Sequence, residues 1–358
     1  MKSNQFLLEI LNQNTQLLLD CGDNAGLMKL AVDKIYKIYS HITGVKIDAI
    51  NQDKDILLPS GKAISTAAAA HCLLEMKRTA IFLRGINKAI IQKLSQAADK
   101  PIRILYVGTG PYGTLLIPLL PLYNSTELKV DMLDMNRNSL IALHDLIRTL
   151  GLGKSIGDFY CTDATTFTVT KHYDIVISET MLACLKSEPQ VAIMQHLIPQ
   201  LEDDCIFIPE EISIDASLTN PKMETDRLMY YETKQPPFER VSLGNIFTVN
   251  KYRLDSSLYR KTLTIPDSKD EFPVLKLFTT VTVFGDEMLS DNDSSITLPK
   301  QYCDFRRQEA QQVEFWYVQG EKPAIECSLS QHRSLQKITT TEYQLQAKTK
   351  LPENLFKQ

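Results

Sequence analysis

The chain changes at about residue 210 from alternating strand and helix patterns to strand patterns alone. Strands that alternate with helices are typical of a parallel sheet with helical crossovers. The later short alternating runs, separated by turns, predict an antiparallel barrel or sandwich. The predicted strands are 102–107, 129–134, 158–161, 173–178 and 205–209, then 211–218, 241–249, 261–265, 274–284, 312–318, 324–329 and 337–347, and helices are predicted at 112–122, 137–150 and 188–201.

The first hundred residues have helical patterns. Leucines and isoleucines recur near a period of 3.6 over residues 5–43, where a break at 22–24 predicts two helices. Residues 44–60 resemble a connection, and a further helix is predicted from Lys62 to about Ala98, with a break near Gly85. We therefore predict an α/β fold followed by β structure: a helical N-terminal segment that closes over a cofactor (1–100), a Rossmann-like domain (101–210) and a β-barrel-like domain (211–358).

Charge and cysteine usage exclude some classes of protein. Lys and Arg total 39 against 43 Asp and Glu, a net charge of −4, which argues against nucleic acid as the main partner and leaves room for a cationic substrate. The absence of a signal peptide and of a long apolar run predicts a cytoplasmic protein with no membrane partner. The seven cysteines form no CxxC pair, so we expect reduced thiols and no metal site.

A glycine-rich loop follows the first strand of the α/β region. Gly108, Gly110 and Gly113 stand between a predicted strand and a helix, where a tight turn brings the backbone close to a ligand. Asp134 ends the next strand, 24 positions after Gly110, and a carboxylate there can accept both hydroxyls of a ribose. This pattern predicts a nucleotide-containing cofactor.

The loop fits NAD, FAD or S-adenosylmethionine. Pro111 removes a backbone donor that a pyrophosphate would use, which disfavours NAD. Asp163, just past the third strand, can accept a hydrogen bond from an adenine amino group. A ribose acid after the second strand and an adenine acid after the third favour S-adenosylmethionine.

Two glutamates follow the fourth strand. Glu179 lies where open α/β sheets bind ligands, and Glu188 comes nine residues later. Two carboxylates at one point need a cation between them, or one of them must take a proton. A guanidinium suits the role of the cation because its planar donors can serve both carboxylates. The alternative is that Glu188 caps a helix before Pro189 and that Glu179 is solvated.

At these residues the chain resembles the protein arginine methyltransferase family. The resemblance rests on Met76–Arg84 with its Arg-Thr pair, on the glycine loop with Asp134, on the two glutamates at the family's spacing, and on the order of domains. It implies a class I S-adenosylmethionine-dependent methyltransferase fold and a homodimer, with residues 222–240 as a candidate arm. It implies Glu179 and Glu188 as catalytic residues and the following cofactor-binding residues: Arg78 (for the methionine carboxylate), Gly108, Thr109, Gly110, Gly113, Asp134, Met135, Asp163 and Ala164.

Two family features are missing, one of which is the pair of tyrosines expected before Arg78, where Ser65, Thr66 and His71 stand instead. The Thr-His-Trp motif that completes the family's active site is formed neither by His332 nor by Trp316, and the nearest local analogue is the segment 295–300. The acceptor therefore stays open between free arginine, another small guanidine or amine, and an arginine in a peptide or protein.

The resemblance implies N-methylation of a guanidino group held by the two glutamates. Such a transfer depends on positioning the acceptor nitrogen and on removing its proton. Three alternatives stay open at this point: a small-molecule N- or O-methyltransferase with a non-guanidine acceptor, an NAD-dependent oxidoreductase, and a non-catalytic partner subunit.

Overall fold

The computed structural model describes residues 2–47, 54–97, 100–224, 239–255, 260–306, 310–331 and 334–338. The helices are α1 (Lys2–Asp20), α2 (Ala25–Thr43), α3 (Thr66–His71), α4 (Met76–Gln96), α5 (Arg137–Leu150) and α6 (Gln190–Leu197). The strands are β1 (Ile56–Leu58), β2 (Gly61–Ala63), β3 (Ile102–Val107), β4 (Leu128–Asp134), β5 (Ile156–Cys161), β6 (Ile175–Ser178), β7 (Ile206–Ile208), β8 (Glu211–Thr219), β9 (Arg240–Asn250), β10 (Arg260–Thr264), β11 (Val274–Phe284), β12 (Glu287–Leu289), β13 (Lys300–Asp304), β14 (Gln312–Val318), β15 (Ala324–Gln331) and β16 (Ser334–Ile338).

The α/β region contains a five-stranded sheet in the order β5-β4-β3-β6-β7, with every neighbouring pair parallel. The strand order reverses at β3, whose last residue, Val107, pairs with Leu133 of β4 and with Ser178 of β6. Gly108 and Glu179 are the first residues after β3 and β6. They therefore follow neighbouring strands at the same edge of the sheet. Such a reversal point is where open α/β sheets bind ligands. The predicted Rossmann-like domain is confirmed.

The C-terminal region is antiparallel, as predicted. One sheet has the order β12-β11-β8-β9 with β13 also paired to β11, and a second has the order β10-β14-β15-β16. Most inward side chains of β8, β11 and β14 are apolar and buried, and the core lies between these faces. Closure of these sheets into a barrel stays a prediction. The predicted strand 337–347 is described only to residue 338, as the end of β16.

Helices α1 and α2 agree with the sequence pattern, whereas the segment that follows them differs from it. Asn24 caps α2 by accepting the Leu27 N–H at 3.1 Å, and Gly44 ends it in a left-handed conformation. The helix predicted from Lys62 is wrong in its first part, because residues 56–63 form the β1–β2 hairpin and α3 follows it. Two three-residue strands are too short for a period-2 pattern to stand out.

The predicted break at Gly85 is also wrong. Helix α4 continues through this residue, and a Cβ there would lie 2.6 Å from Val283 Cγ1 of β11. The glycine therefore permits close packing of α4 on the antiparallel sheet instead of ending the helix.

The predicted helix at 112–122 is a series of turns ending in a 3₁₀ turn at Leu120–Leu122. Gly113 has a φ of +53°, and Pro118 and Pro121 each lack the N–H that a continuous helix uses.

No described helix is long and apolar enough to cross a membrane. Within the described ranges, no group of three or more His, Cys, Asp or Glu side chains is placed to hold a metal ion. Of the candidate arm, residues 225–238 lie outside the described residues, as does His332. Dimer formation stays a prediction.

Candidate functional site

A cavity of about 280 Å³ lies at the carboxyl edge of the parallel sheet. It is bounded by the loops after β3, β4, β5 and β6, by α3 and the start of α4, and by the β1–β2 hairpin. Almost all residues singled out from the sequence line it: Arg78, Gly108, Thr109, Gly110, Asp134, Met135, Asp163, Ala164, Glu179 and Glu188. The sheet topology has thus brought the cofactor residues and the two glutamates to one space.

The glycine loop turns sharply after β3. Gly108 has a φ of +70°, and a Cβ on it would lie 2.5 Å from Thr180 Cγ2 in the loop after β6. Gly110 has a φ of +59° and donates its N–H to Asp134 Oδ2 at 2.8 Å. Glycine is needed at both positions because an L side chain disfavours this φ and would fill the narrow gap.

Asp134 ties the loops after β3 and β4 together. Its Oδ1 accepts the Asn136 N–H at 2.7 Å and its Oδ2 accepts the Gly110 N–H. Burial raises the pKa of Asp134, and these two backbone donors act in the opposite direction. Each carboxylate oxygen has a further lone pair. The side chain can therefore hold the loops in place and still accept a ligand hydroxyl.

Asp163 stands in the loop after β5. Its Oδ1 accepts both the N–H and the hydroxyl of Thr165, each at 2.8 Å, which fixes the carboxylate at the cavity wall. Gly113 is the one predicted cofactor residue outside the lining, since its Cβ position faces Ile117 Cγ1 at 2.5 Å. In this structure Gly113 serves packing, and its role toward a cofactor stays a prediction.

Arg78 lies between the cofactor residues and the glutamates. It lies in the first turn of α4 and is buried, and its guanidinium donates to Glu75 Oε2 at 2.9 Å and to Glu179 Oε2. The second oxygen, Glu179 Oε1, is buried without a hydrogen-bond partner among the described residues. Leaving such an atom unpaired costs about 1–3 kcal/mol, more for a charged group. Glu179 thus has one satisfied oxygen and one that can receive a donor.

Glu188 differs from Glu179 in its surroundings. It is 6% exposed, and no described residue donates a hydrogen bond to its side chain. Burial raises the pKa of Glu188 to about 7, while Arg78 and Lys62 lower it and Asp55 raises it. A carboxyl with a pKa near neutrality can exchange a proton at physiological pH.

The loop that carries Glu188 has an unusual backbone. Cys184, Leu185 and Ser187 have φ values of +58°, +54° and +71°. Such positions cost about 1–3 kcal/mol each and persist only where neighbours hold them. Here Cys184 N–H donates to Thr279 Oγ1 at 2.9 Å, and Ser187 N–H donates to the Pro323 carbonyl at 2.7 Å. The C-terminal domain therefore helps to fix Glu188.

The β1–β2 hairpin supports the same loop from the other side. Lys62 donates its backbone N–H to the Ser187 carbonyl at 2.9 Å. At Gly61, a Cβ would lie 2.9 Å from that carbonyl oxygen and 3.1 Å from the Glu188 carbonyl carbon. The hairpin could not be predicted from the sequence, because no local motif joins residues 56–63 to a loop more than a hundred positions later.

Glu75, next to the cavity, was not predicted, and Ser295 was named only as the start of the segment nearest to the missing motif. Glu75 accepts from Arg78 through Oε2 and from the Ser295 N–H through Oε1 at 3.1 Å, so it connects α4 to the 3₁₀ turn Ser295–Thr297. Ser295 itself lines the cavity. The spacing of three between Glu75 and Arg78 was a signal for their pairing. Trp316 lies on β14 beside Arg260, outside the lining of the cavity.

No protein-family model matches the chain, and no curated protein sequence matches it significantly. Among solved structures, similar ones include PRMT1 in the enzyme–prozyme heterotetrameric complex of Trypanosoma brucei with AdoHcy, at 12% identity and a TM-score of 0.48, covering 74% of this chain and 94% of that chain. PRMT6 is 14% identical with a TM-score of 0.47, covering 69% and 96%. Protein arginine methyltransferase 10 of Arabidopsis thaliana, in a uniquely open conformation, is 10% identical with a TM-score of 0.46, covering 72% and 92%. At these values the likeness assigns no substrate or cofactor to this chain.

Proposed function

We propose that this chain is an S-adenosylmethionine-dependent N-methyltransferase whose acceptor is a guanidino group held by Glu179 and Glu188. The observation that carries the proposal is the pairing of two buried carboxylates in one cavity with the glycine loop and its two acids. Glu179 Oε1 has no partner among the described residues, and the Glu188 carboxylate receives no hydrogen bond from them. A guanidinium offers five N–H donors in one plane, which matches two such carboxylates.

The residues of the cavity fit S-adenosylmethionine. Asp134 suits the ribose hydroxyls and Asp163 the adenine amino group, since both carboxylates line the cavity and are fixed by backbone N–H donors. Arg78 suits the methionine carboxylate: it lies in the same lining and can keep Glu75 as a partner while it binds another carboxylate. When bound, this cofactor supplies an electrophilic methyl group on a sulfonium.

The two glutamates then have different tasks. Glu179, beside Arg78, stays ionised and fixes one edge of the guanidinium. Glu188, whose pKa is about 7, holds the other edge and accepts the proton that the attacking nitrogen loses as its bond to the methyl carbon forms. Atoms and charge would balance: the acceptor would gain the methyl group as the bond from sulfur to methyl breaks, the electron pair of that bond would stay on sulfur and cancel its charge, and the proton of the acceptor nitrogen would go to Glu188. The protein contributes orientation and a polarising charge pair.

Mass spectrometry with labelled S-adenosylmethionine tests the proposal. The protein would be incubated with free arginine, other guanidines, primary amines, hydroxyl acceptors and arginine-containing peptides, and label would be measured on each. We expect label on guanidines and none on hydroxyl acceptors. Label confined to amines or hydroxyl groups would overturn the proposal in favour of a methyltransferase with a non-guanidine acceptor. Binding of NADH, followed by fluorescence, would instead support an oxidoreductase.

A further inference from the structure

An ion pair stands at the rim of the cavity beside Glu188. Lys62 Nζ lies 2.6 Å from Asp55 Oδ2, and the two side chains are 30% and 36% exposed. Lys62 lines the cavity, and both charges act on the Glu188 carboxyl. The pair therefore lies in solvent contact and within the electrostatic field of the proposed acceptor site.

A lysine at this position is unfavourable for a purely cationic acceptor. Its ammonium would repel a guanidinium held by Glu188, since like charges in a partly buried site interact strongly. The described cavity lining contains two cations, Lys62 and Arg78. The proposed function assigns Arg78 to the methionine carboxylate, which leaves Lys62 without an anionic ligand group. An acceptor that carries its own carboxylate would convert this repulsion into attraction.

The hairpin also holds the loop that carries Glu188. Ser187 is bound on both sides, by the Lys62 N–H at its carbonyl and by the Pro323 carbonyl at its N–H. A Cβ added to Gly61 would lie 2.9 Å from the Ser187 carbonyl oxygen, so only a glycine fits beside this backbone. The backbone that carries Glu188 is therefore held by the hairpin on one side and by the β14–β15 turn on the other, which fixes the place of this carboxylate relative to Lys62.

We propose that Lys62 and Asp55 form a subsite for the α-carboxylate and α-ammonium of a free guanidino amino acid. This inference rests on the proposed function, because the guanidinium must first be held by the glutamates. Lys62 binds the carboxylate and Asp55 Oδ2 binds the ammonium, so that each exchanges its ion-pair partner for an equivalent charge on the acceptor, while Asp55 Oδ1 keeps the Ser65 N–H at 3.0 Å. An arginine inside a peptide carries neither charge at its α-carbon, and a decarboxylated guanidine lacks the carboxylate.

Steady-state methylation of four acceptors tests the subsite: L-arginine, agmatine, Nα-acetyl-L-arginine and Nα-acetyl-L-arginine methylamide. We expect L-arginine to have the highest kcat/KM, with each lost charge lowering it by at least about tenfold. Equal kcat/KM for L-arginine and the doubly capped compound would overturn the subsite and leave the proposed function intact. Label on none of the four would overturn the proposed function and the subsite together.

Variants separate recognition from structural support. Lys62→Met should lower kcat/KM for L-arginine by about tenfold or more and raise it for agmatine, because a cation beside a cationic acceptor has been removed. Lys62→Arg should restore most of the L-arginine activity. The matched control is Lys88→Met, which removes two ion pairs, with Asp286 and with Glu287, outside the cavity lining. A fall of equal size for all four acceptors in Lys62→Met would show that Lys62 only supports the hairpin, and would overturn the proposal.

Discussion

The buried Glu188 should make the protein less stable as the pH rises. Burial raises the pKa of Glu188 from its ordinary value of 4.5 to about 7. A group whose pKa is raised by folding binds more protons in the folded than in the unfolded state between these two values. The free energy of unfolding therefore falls as the pH rises through this window and is level above it.

Glu188→Gln replaces the carboxyl with a neutral side chain of nearly the same shape. The shift in the pKa of Glu188 corresponds to about 3 kcal/mol. Above pH 7 the variant should be more stable than the wild type by about this amount, and below pH 4.5 the two should be nearly equal. For a chain of 358 residues, 3 kcal/mol corresponds to a Tm shift of about 4 °C. The same variant should lose methyl transfer, a trade of function for stability.

Thermal unfolding measured between pH 4 and 8.5 without ligands checks this prediction. Glu9→Gln, on an exposed face of α1, is the matched control and should follow the wild type at every pH. A Tm difference between Glu188→Gln and the wild type that does not change with pH would refute the reasoning. So would a variant that is less stable than the wild type at pH 8.

Three further predictions concern two closely packed glycines and the protonation of Glu188. In Gly61→Ala the added Cβ would lie 2.9 Å from the Ser187 carbonyl oxygen, so the hairpin should be displaced from this loop. We expect kcat in a methyl-transfer assay to fall by about tenfold. Gly85→Ala, whose Cβ would meet Val283 at 2.6 Å, should lower the free energy of unfolding by about 1–3 kcal/mol, whereas Gly153→Ala, with open space around it, should not. In a pH profile, kcat/KM should fall about tenfold per pH unit below about 7, as Glu188 takes up a proton.

The central sheet and much of its site could be predicted from the sequence. Parallel strands place their carboxyl ends at one edge, so residues that follow different strands, such as Gly108, Asp134 and Glu179, had to converge. Glycine spacing and strand boundaries are local signals, and they were sufficient for this part. Arg78 was predicted as a cofactor-binding residue only from the resemblance to the family, because nothing in the local sequence marks it as a ligand-binding residue.

The residues that complete the cavity wall could not be predicted, because they come from segments distant in the chain. Lys62 lies on a hairpin of two three-residue strands, and Ser295 comes from a turn 220 positions after Glu75, the residue it contacts. The break at Gly85 was predicted wrongly because a glycine in a helical pattern looks the same in two cases. It can end the helix, or it can let the helix pack closely on a neighbour. Only the neighbouring Val283 distinguishes the two cases.

The most direct measurement of the central claim compares turnover with cofactor binding in Glu179→Gln. We expect kcat on the methylated guanidine to fall by about 100-fold or more, because one edge of the guanidinium loses its charged partner. Calorimetry with S-adenosylhomocysteine should give nearly the wild-type Kd, and Glu202→Gln, exposed and outside the cavity lining, should resemble the wild type in both measurements. Wild-type turnover in Glu179→Gln would contradict the account.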